Sequence, residues 1–261
     1  MTTQVKTHVA SGVMEIVLAR PEKKNALNAP MYQAMIDSLR AADRDDGVHA
    51  VLLMGEGDLF TAGNDMEDFA KAAAGKGEPK AVAFMEAIAT TRKPVVAAVH
   101  GHAVGIGTTM LLHCDLVVIA EDARLTAPFM KLGIVPEAGS SLLMPLRMGH
   151  QKAFAMFALG QPVTGAEAVA AGLANVALPK DQVVTAARKM CADLAAVPPG
   201  ALAKGKVLMR NSDEIVALIR KEAVVLAECV QSPEAREVFA AFLERRSPDF
   251  AKLKRPSAAA E

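Results

Sequence analysis

Lys93-Pro94-Val95-Val96-Ala97-Ala98-Val99, followed by His100-Gly101-His102-Ala103-Val104-Gly105-Ile106-Gly107 and then by Leu116-Val117-Val118-Ile119-Ala120, is the stretch that decides the fold. Five apolar residues without alternation read as a strand buried on both faces. The glycines make a turn, residues 106–113 carry a helical pattern entered through them, and 116–120 repeats the buried-strand signature. Strands of this kind separated by helices predict a mainly parallel α/β sheet covered on both faces. His100, His102, His113 and Asp115 interrupt the apolar tract 94–120, which argues against a membrane span.

The same alternation continues on both sides. Residues 13–18 read as a strand stopped by Arg20-Pro21, and 30–42 as a helix with Pro30 tolerated in its first turn. Residues 50–54 form a continuous apolar strand, with Gly55-Glu56-Gly57-Asp58 as its turn. Residues 78–91 place Val82, Met85, Ile88 and Ala89 on one helical face. Gly75-Lys76-Gly77-Glu78-Pro79 predicts a surface loop. Beyond about Ser141 the pattern is helical, with candidates at 151–159, 165–171, 181–196, 201–209, 213–230 and 233–244. Ser232-Pro233 reads as an N-cap followed by proline in the first turn. Pro198-Pro199-Gly200 marks the expected boundary between a core, 1–198, and a C-terminal helical region, 199–261.

Composition narrows the function. A chain of 261 residues can bury a sizeable core. Lys and Arg total 29 and Asp and Glu total 29, so no net charge points to nucleic acid or an anionic membrane as partner. Cys114, Cys191 and Cys229 are few, odd in number and far apart. They suggest neither a disulfide framework nor a metal site, and they fit a reducing, cytoplasmic setting. Met1 to Lys6 lacks the apolar region of a signal peptide, and the end at Ala258-Ala259-Ala260-Glu261 is no peroxisomal address.

The chemistry centres on Glu137, an isolated carboxylate between the apolar approach Leu125-Thr126-Ala127-Pro128-Phe129-Met130 and the run Leu142-Leu143-Met144. An apolar setting disfavours the charged carboxylate and strengthens it as a base. Upstream lie two Gly-rich turns, Ala62-Gly63-Asn64-Asp65 and Ala103-Val104-Gly105-Ile106-Gly107. Such turns at helix starts present free backbone N–H groups able to hold an oxyanion. One base and one oxyanion hole suffice to move a proton next to a carbonyl. The remaining polar residues have plainer readings. His100 and His102 are expected to be hydrogen-bonded structural histidines, and Asp115 to orient a turn or helix end. Glu67 and Asp68 are expected on a solvated helix start, and Lys252, Lys254 and Arg255 on a solvated tail.

Several motifs together resemble the crotonase (enoyl-CoA hydratase/isomerase) superfamily. Arg20-Pro21-Glu22-Lys23-Lys24-Asn25-Ala26-Leu27 is similar to its R-P-x-x-x-N-A-L motif, and Phe60-Thr61-Ala62-Gly63-Asn64-Asp65 to F-x-A-G-x-D. Lys93-Pro94-Val95-Val96-Ala97-Ala98-Val99-His100-Gly101 is similar to K-P-x-x-A-x-x-x-G, and Ala103-Val104-Gly105-Ile106-Gly107 and Cys114-Asp115 follow at the family's spacing. The resemblance implies a spiral of ββα units, a C-terminal trimerisation region giving a homotrimer or homohexamer, and an acyl-CoA thioester as substrate. It implies no metal and no cofactor beyond the coenzyme A that the substrate carries. It also implies an oxyanion hole made by the N–H groups of Asn64 and Ile106, with Ala62, Gly63, Asp65, Met66 and Gly105 around the adenine and thioester parts. Where hydratases of the family carry two glutamates, this chain has Thr109 and Phe129. The pattern Pro136-Glu137-Ala138-Gly139-Ser140-Ser141 instead resembles the peroxisomal type of Δ3,Δ2-enoyl-CoA isomerase, which implies that Glu137 is the catalytic acid/base.

Overall fold

Val95–Val99 (β4) is an inner strand of a six-stranded sheet. Its neighbours on one side are Ala50–Gly55 (β3), Val13–Leu18 (β2) and Val5–Ala10 (β1), and on the other Leu116–Ala120 (β6) and Val176–Leu178 (β9). The computed structural model describes residues 2–67, 80–244 and 246–253. The glycine-rich stretch 75–79, Asp68, Lys254 and Arg255 lie outside the described residues.

β2, β3, β4, β6 and β9 run parallel, and β1 pairs antiparallel with β2 at the edge. Every residue of β4 is buried, as are Ala50 to Met54 of β3, which is why these strands read as unbroken apolar runs. The Val183–Ala195 helix packs against β3, β4 and β6. The Ala29–Arg44 and Lys80–Thr90 helices pack against each other, and Met31, Met35, Ile36, Phe84 and Ile88 bury their apolar stripe.

A smaller sheet joins Ala103–Val104 (β5), Arg124–Thr126 (β7) and Val163–Thr164 (β8). These short strands escaped the sequence reading, as did β1, where only Val5 is buried. Segment 106–113 is not one helix. Ile106–Thr109 is α-helical and Met110–His113 continues as a 3-10 turn, which tightens the chain before β6.

After Val197, among the described residues, the chain makes three more α-helices. Pro199–Met209 buries none of its residues and is tied to the sheet by Lys206, whose Nζ donates to Lys93 O at 2.8 Å and Asp115 Oδ2 at 2.7 Å. Asp115 Oδ2 also accepts the Val95 N–H at 2.7 Å, so it orients the start of β4. Ser212–Val230 returns to the core, packs on Lys80–Thr90 and buries Ile215, Ile219, Glu222 and Val230. Pro233–Leu243 follows, with Ser232 Oγ accepting the Ala235 N–H at 3.1 Å, the cap that the Ser-Pro pair predicts. Among the described residues no helix is long and apolar enough to cross a membrane.

Candidate active site

The turn ahead of Asn64 is built from the N-terminal motif. Asn25, fully buried and at φ +52°, accepts the Arg20 N–H at 2.9 Å through Oδ1. Its Nδ2 donates to the carbonyls of Glu56, Leu59 and Phe60 at 2.8, 3.1 and 3.2 Å. Thr61 Oγ1 closes the set by donating to Asn25 O at 2.6 Å. One buried amide therefore fixes the loop that carries Phe60, Thr61 and Ala62 into the site.

Asn64 forms a parallel bridge with Leu27. Leu27 N donates to Gly63 O at 2.8 Å and Asp65 N donates to Leu27 O at 2.9 Å. In that pattern Asn64's own N–H points away from Leu27. Among the described residues nothing accepts a hydrogen bond from the N–H of Asn64 or of Ile106. The two turns touch. Gly63, at φ +84°, lies so close to the second turn that a Cβ there would stand 2.4 Å from Val104 O. Gly105 sits at φ 56°, ψ −121°, a conformation essentially confined to glycine, and delivers the Ile106 N–H at the start of its helix.

A cavity of about 100 Å3 opens between the turns. Ala62, Gly63, Asn64 and Met66 form one wall and Val104, Gly105 and Ile106 another. Phe129, Leu132, Ile134 and Phe239 make the remainder apolar. Asp65 is not in the wall, which departs from the expectation that it flanks the thioester. Its Oδ2 pairs with Arg20 Nη1 at 2.6 Å and its Oδ1 caps the next helical turn at the Glu67 N–H, 3.0 Å away. Its short side chain is taken up by the scaffold.

Glu137 is 5% exposed, contrary to a solvated loop carboxylate. It is set back from the cavity wall, and Oε1 accepts a 2.5 Å hydrogen bond from Thr109 Oγ1, on the helix that Ile106 begins. Burial pushes the carboxyl up to about 8; the Thr109 bond opposes the shift and the Glu222 charge adds to it. Tyr32, also buried, donates from its hydroxyl to Asn64 Oδ1 at 2.5 Å. Burial first, then the Glu137 charge, raises its pKa well above the ordinary phenol value, so it stays a donor.

The histidines divide as their surroundings dictate. His102 is exposed, and His100 donates from Nε2 to Gly57 O at 3.1 Å. His113 is fully buried, with Nε2 at 2.7 Å from Ala138 O and Nδ1 facing the Arg210 guanidinium. Glu222 accepts the Gly139 N–H at 2.6 Å, the Ser141 N–H at 3.0 Å and the Ser141 hydroxyl at 2.5 Å. Tyr32, Arg210 and Glu222 are absent from the sequence reading, and His113 enters it only as a break in the apolar tract 94–120. Each lies on another element from the residue it serves, so no local pattern announces it.

Comparison with known proteins gives the family and the fold. The family model described as Enoyl-CoA hydratase/isomerase matches residues 8–253. The 2,3-dehydroadipyl-CoA hydratase of Escherichia coli (strain K12) is 31% identical over 244 residues, covering 91% of this chain and 94% of that protein. Enoyl-CoA delta isomerase 2 of Homo sapiens is 34% identical over 245 residues, covering 90% of this chain and 62% of the human protein. The crystal structure of an enoyl-CoA hydratase/isomerase from Pseudoalteromonas atlantica T6c superposes with a TM-score of 0.90 at 40% identity, covering 95% of this chain and all of that one.

Proposed function

The chain belongs to the enoyl-CoA hydratase/isomerase, or crotonase, family, and we propose that within it the protein is an isomerase that shifts the double bond of a 3-enoyl-CoA to trans-2-enoyl-CoA. The observation that carries this reading is Glu137. It is a buried base-strength carboxylate held by Thr109, on the short helix that the Ile106 N–H begins, with Thr109 and Phe129 where the hydratases' proton-transfer carboxylates would stand. The other buried carboxylate among the described residues, Glu222, is occupied by three donors.

In this mechanism the thioester oxygen sits between the N–H groups of Asn64 and Ile106. Negative charge that develops there is held by donors already in place, each typically worth ~2.7–4 kcal/mol in the transition state. Glu137 takes a proton from C2, the electron pair delocalises as a dienolate onto the oxygen, and the same carboxyl returns the proton to C4. No water is consumed and one group suffices. Ala62, Gly63, Met66 and Gly105 border the bound thioester, and the apolar wall beyond receives the hydrocarbon chain. Hydration needs one group to activate water and another to protonate carbon, and this reading leaves it a minor reaction at most. A homotrimer or dimer of trimers completes the proposal, supported by the exposed apolar residues of the C-terminal helices. So does a reducing, cytoplasmic compartment, supported by the unpaired Cys114 and Cys191 in the core.

The test is direct. 3-Hexenoyl-CoA and crotonyl-CoA are supplied separately, and the absorbance of the conjugated thioester is followed as it appears or is lost. Isomerisation should be the faster reaction by a wide margin. Hydration at a comparable rate would make the protein a hydratase.

A further inference from the structure

The turn after the base carries backbone strain. Ala138 is at φ +61° and Gly139 at φ +69°. A left-handed conformation at a residue other than glycine is unfavourable and persists only where surrounding contacts over-determine it. Here the contacts come from the far end of the chain.

Arg210 stands at the end of the Pro199–Met209 helix. Its Nη1 donates to His113 O at 3.1 Å and its Nη2 to His113 Nδ1. A guanidinium has no lone pair to offer, so Nδ1 is the acceptor and the ring proton is on Nε2. That proton reaches Ala138 O at 2.7 Å. Burial, reinforced by the Arg210 charge, lowers His113 to about 3, so the ring stays neutral and the tautomer stays fixed. On the other side of the same turn, Glu222 accepts the Gly139 and Ser141 N–H groups and the Ser141 hydroxyl.

We propose that Arg210, His113 and Glu222 are positioning residues that clamp the Glu137–Ser141 turn and thereby aim the Glu137 carboxylate. The inference rests on the reading of Glu137 as the base and extends it. The C-terminal helices become part of the proton-transfer machinery and are more than a platform for assembly. The polar and charged groups that face Glu137 are Thr109, Tyr32 and Glu222. Of these, Glu222 belongs to the clamp and also acts on the base by its charge.

The experiment compares pH profiles of kcat and KM on 3-hexenoyl-CoA for five proteins: wild type, Glu137→Gln, Glu222→Gln, His113→Leu and His113→Gln. Glu222→Gln keeps size and one acceptor but offers an N–H to the turn where a lone pair stood. We expect kcat to fall about tenfold with KM within twofold, since a small misplacement of a reacting group costs up to roughly 10²-fold. The acidic limb should move to lower pH, because one like charge beside the base is gone. His113→Leu should lose a comparable factor in kcat. His113→Gln keeps a donor at the place of Nε2 and should recover most of it. A residue that only stabilised the fold would change melting temperature and active fraction and leave the limb where it is. If Glu222→Gln does not fold, the two His113 variants decide, since His113→Gln as impaired as His113→Leu overturns the clamp. Wild-type kcat and limb in all the clamp variants, beside an inactive Glu137→Gln, would also overturn it. An active Glu137→Gln would instead remove the base itself.

Discussion

Thr109 Oγ1 donates a 2.5 Å hydrogen bond to Glu137 Oε1, and through it a residue on the helix begun by Ile106 holds the carboxylate of a turn 28 residues further on. A hydroxyl that donates to a carboxylate favours the charged form, so this bond restrains the rise that burial imposes. Thr109→Val keeps the shape and removes the donor. We expect the acidic limb of kcat/KM to move to higher pH and activity at neutral pH to fall severalfold. An unmoved limb in the pH profile would show that the bond does not act on the base.

Glu137→Gln removes proton exchange while keeping volume. Positioned acid/base groups typically contribute ~10²–10⁴-fold, so kcat on 3-hexenoyl-CoA should drop by about that factor. Calorimetric affinity for a saturated acyl-CoA should change little, because the binding donors are backbone groups on other segments. Retention of more than about half the wild-type kcat would remove Glu137 from the mechanism.

The raised carboxyl also sets how stability depends on pH. The unfolded chain releases the Glu137 proton near the ordinary value of 4.5, whereas the native protein holds it to about 8. Between those values the native state binds more protons, so stability from this group is fully present below 4.5 and is lost as pH rises toward 8. Glu222, raised in the same direction, adds to the trend. The melting temperature of the ligand-free protein should fall from pH 5 to pH 8 by more in wild type than in Glu137→Gln. Parallel curves would rule out the shift.

Gly63→Ala places a Cβ 2.4 Å from Val104 O and forces a side chain into φ +84°. Both turns must separate, so kcat should fall at least as far as loss of one oxyanion donor implies, ~10²–10³-fold, together with melting temperature. Gly105→Ala meets only Phe129 Cε1 at 3.9 Å, so its cost is backbone strain at φ +56° without a clash. Circular-dichroism melts should therefore rank Gly63→Ala as the less stable of the two.

Leu208 and Met209 are 88% and 89% exposed at the end of a helix that buries nothing, beside the exposed Val207. An apolar cluster so open favours a second copy of the chain. Light scattering at micromolar concentration should give a trimer or a multiple of one, and Leu208→Asp should shift it toward smaller species. A monomeric wild type would refute the assembly.

Much of the fold was legible because burial writes itself into local composition. β3, β4 and β6 are apolar runs and each became a strand. β5, β7 and β8, of two or three residues, are too short to show a period. At the site, Glu137 stood out as a carboxylate among apolar neighbours, and Gly63 and Gly105 marked close backbone approach. Asn64, Met66 and Ile106 were implied only by the family resemblance of the motifs around those glycines, and all three line the cavity. Asp65 looked the same in sequence whether it faced a ligand or Arg20, and only the fold distinguishes the two. Tyr32, His113, Arg210 and Glu222 were silent for a related reason. Their partners are 25 to 97 residues away, and hydrogen bonds across such separations leave no trace in spacing.

The contact between the Gly63 and Gly105 turns has a bearing on how such a protein can change over time. The groups that would activate a thioester belong to the main chain, and their spacing is fixed by one turn resting on the other. Replacing the side chain of Ile106 leaves its N–H in place. Met66, Pro128, Phe129, Leu132, Ile134 and Phe239 add their side chains to the wall. Selection is thus free to resculpt that wall, residue by residue, while the two backbone donors are inherited unchanged.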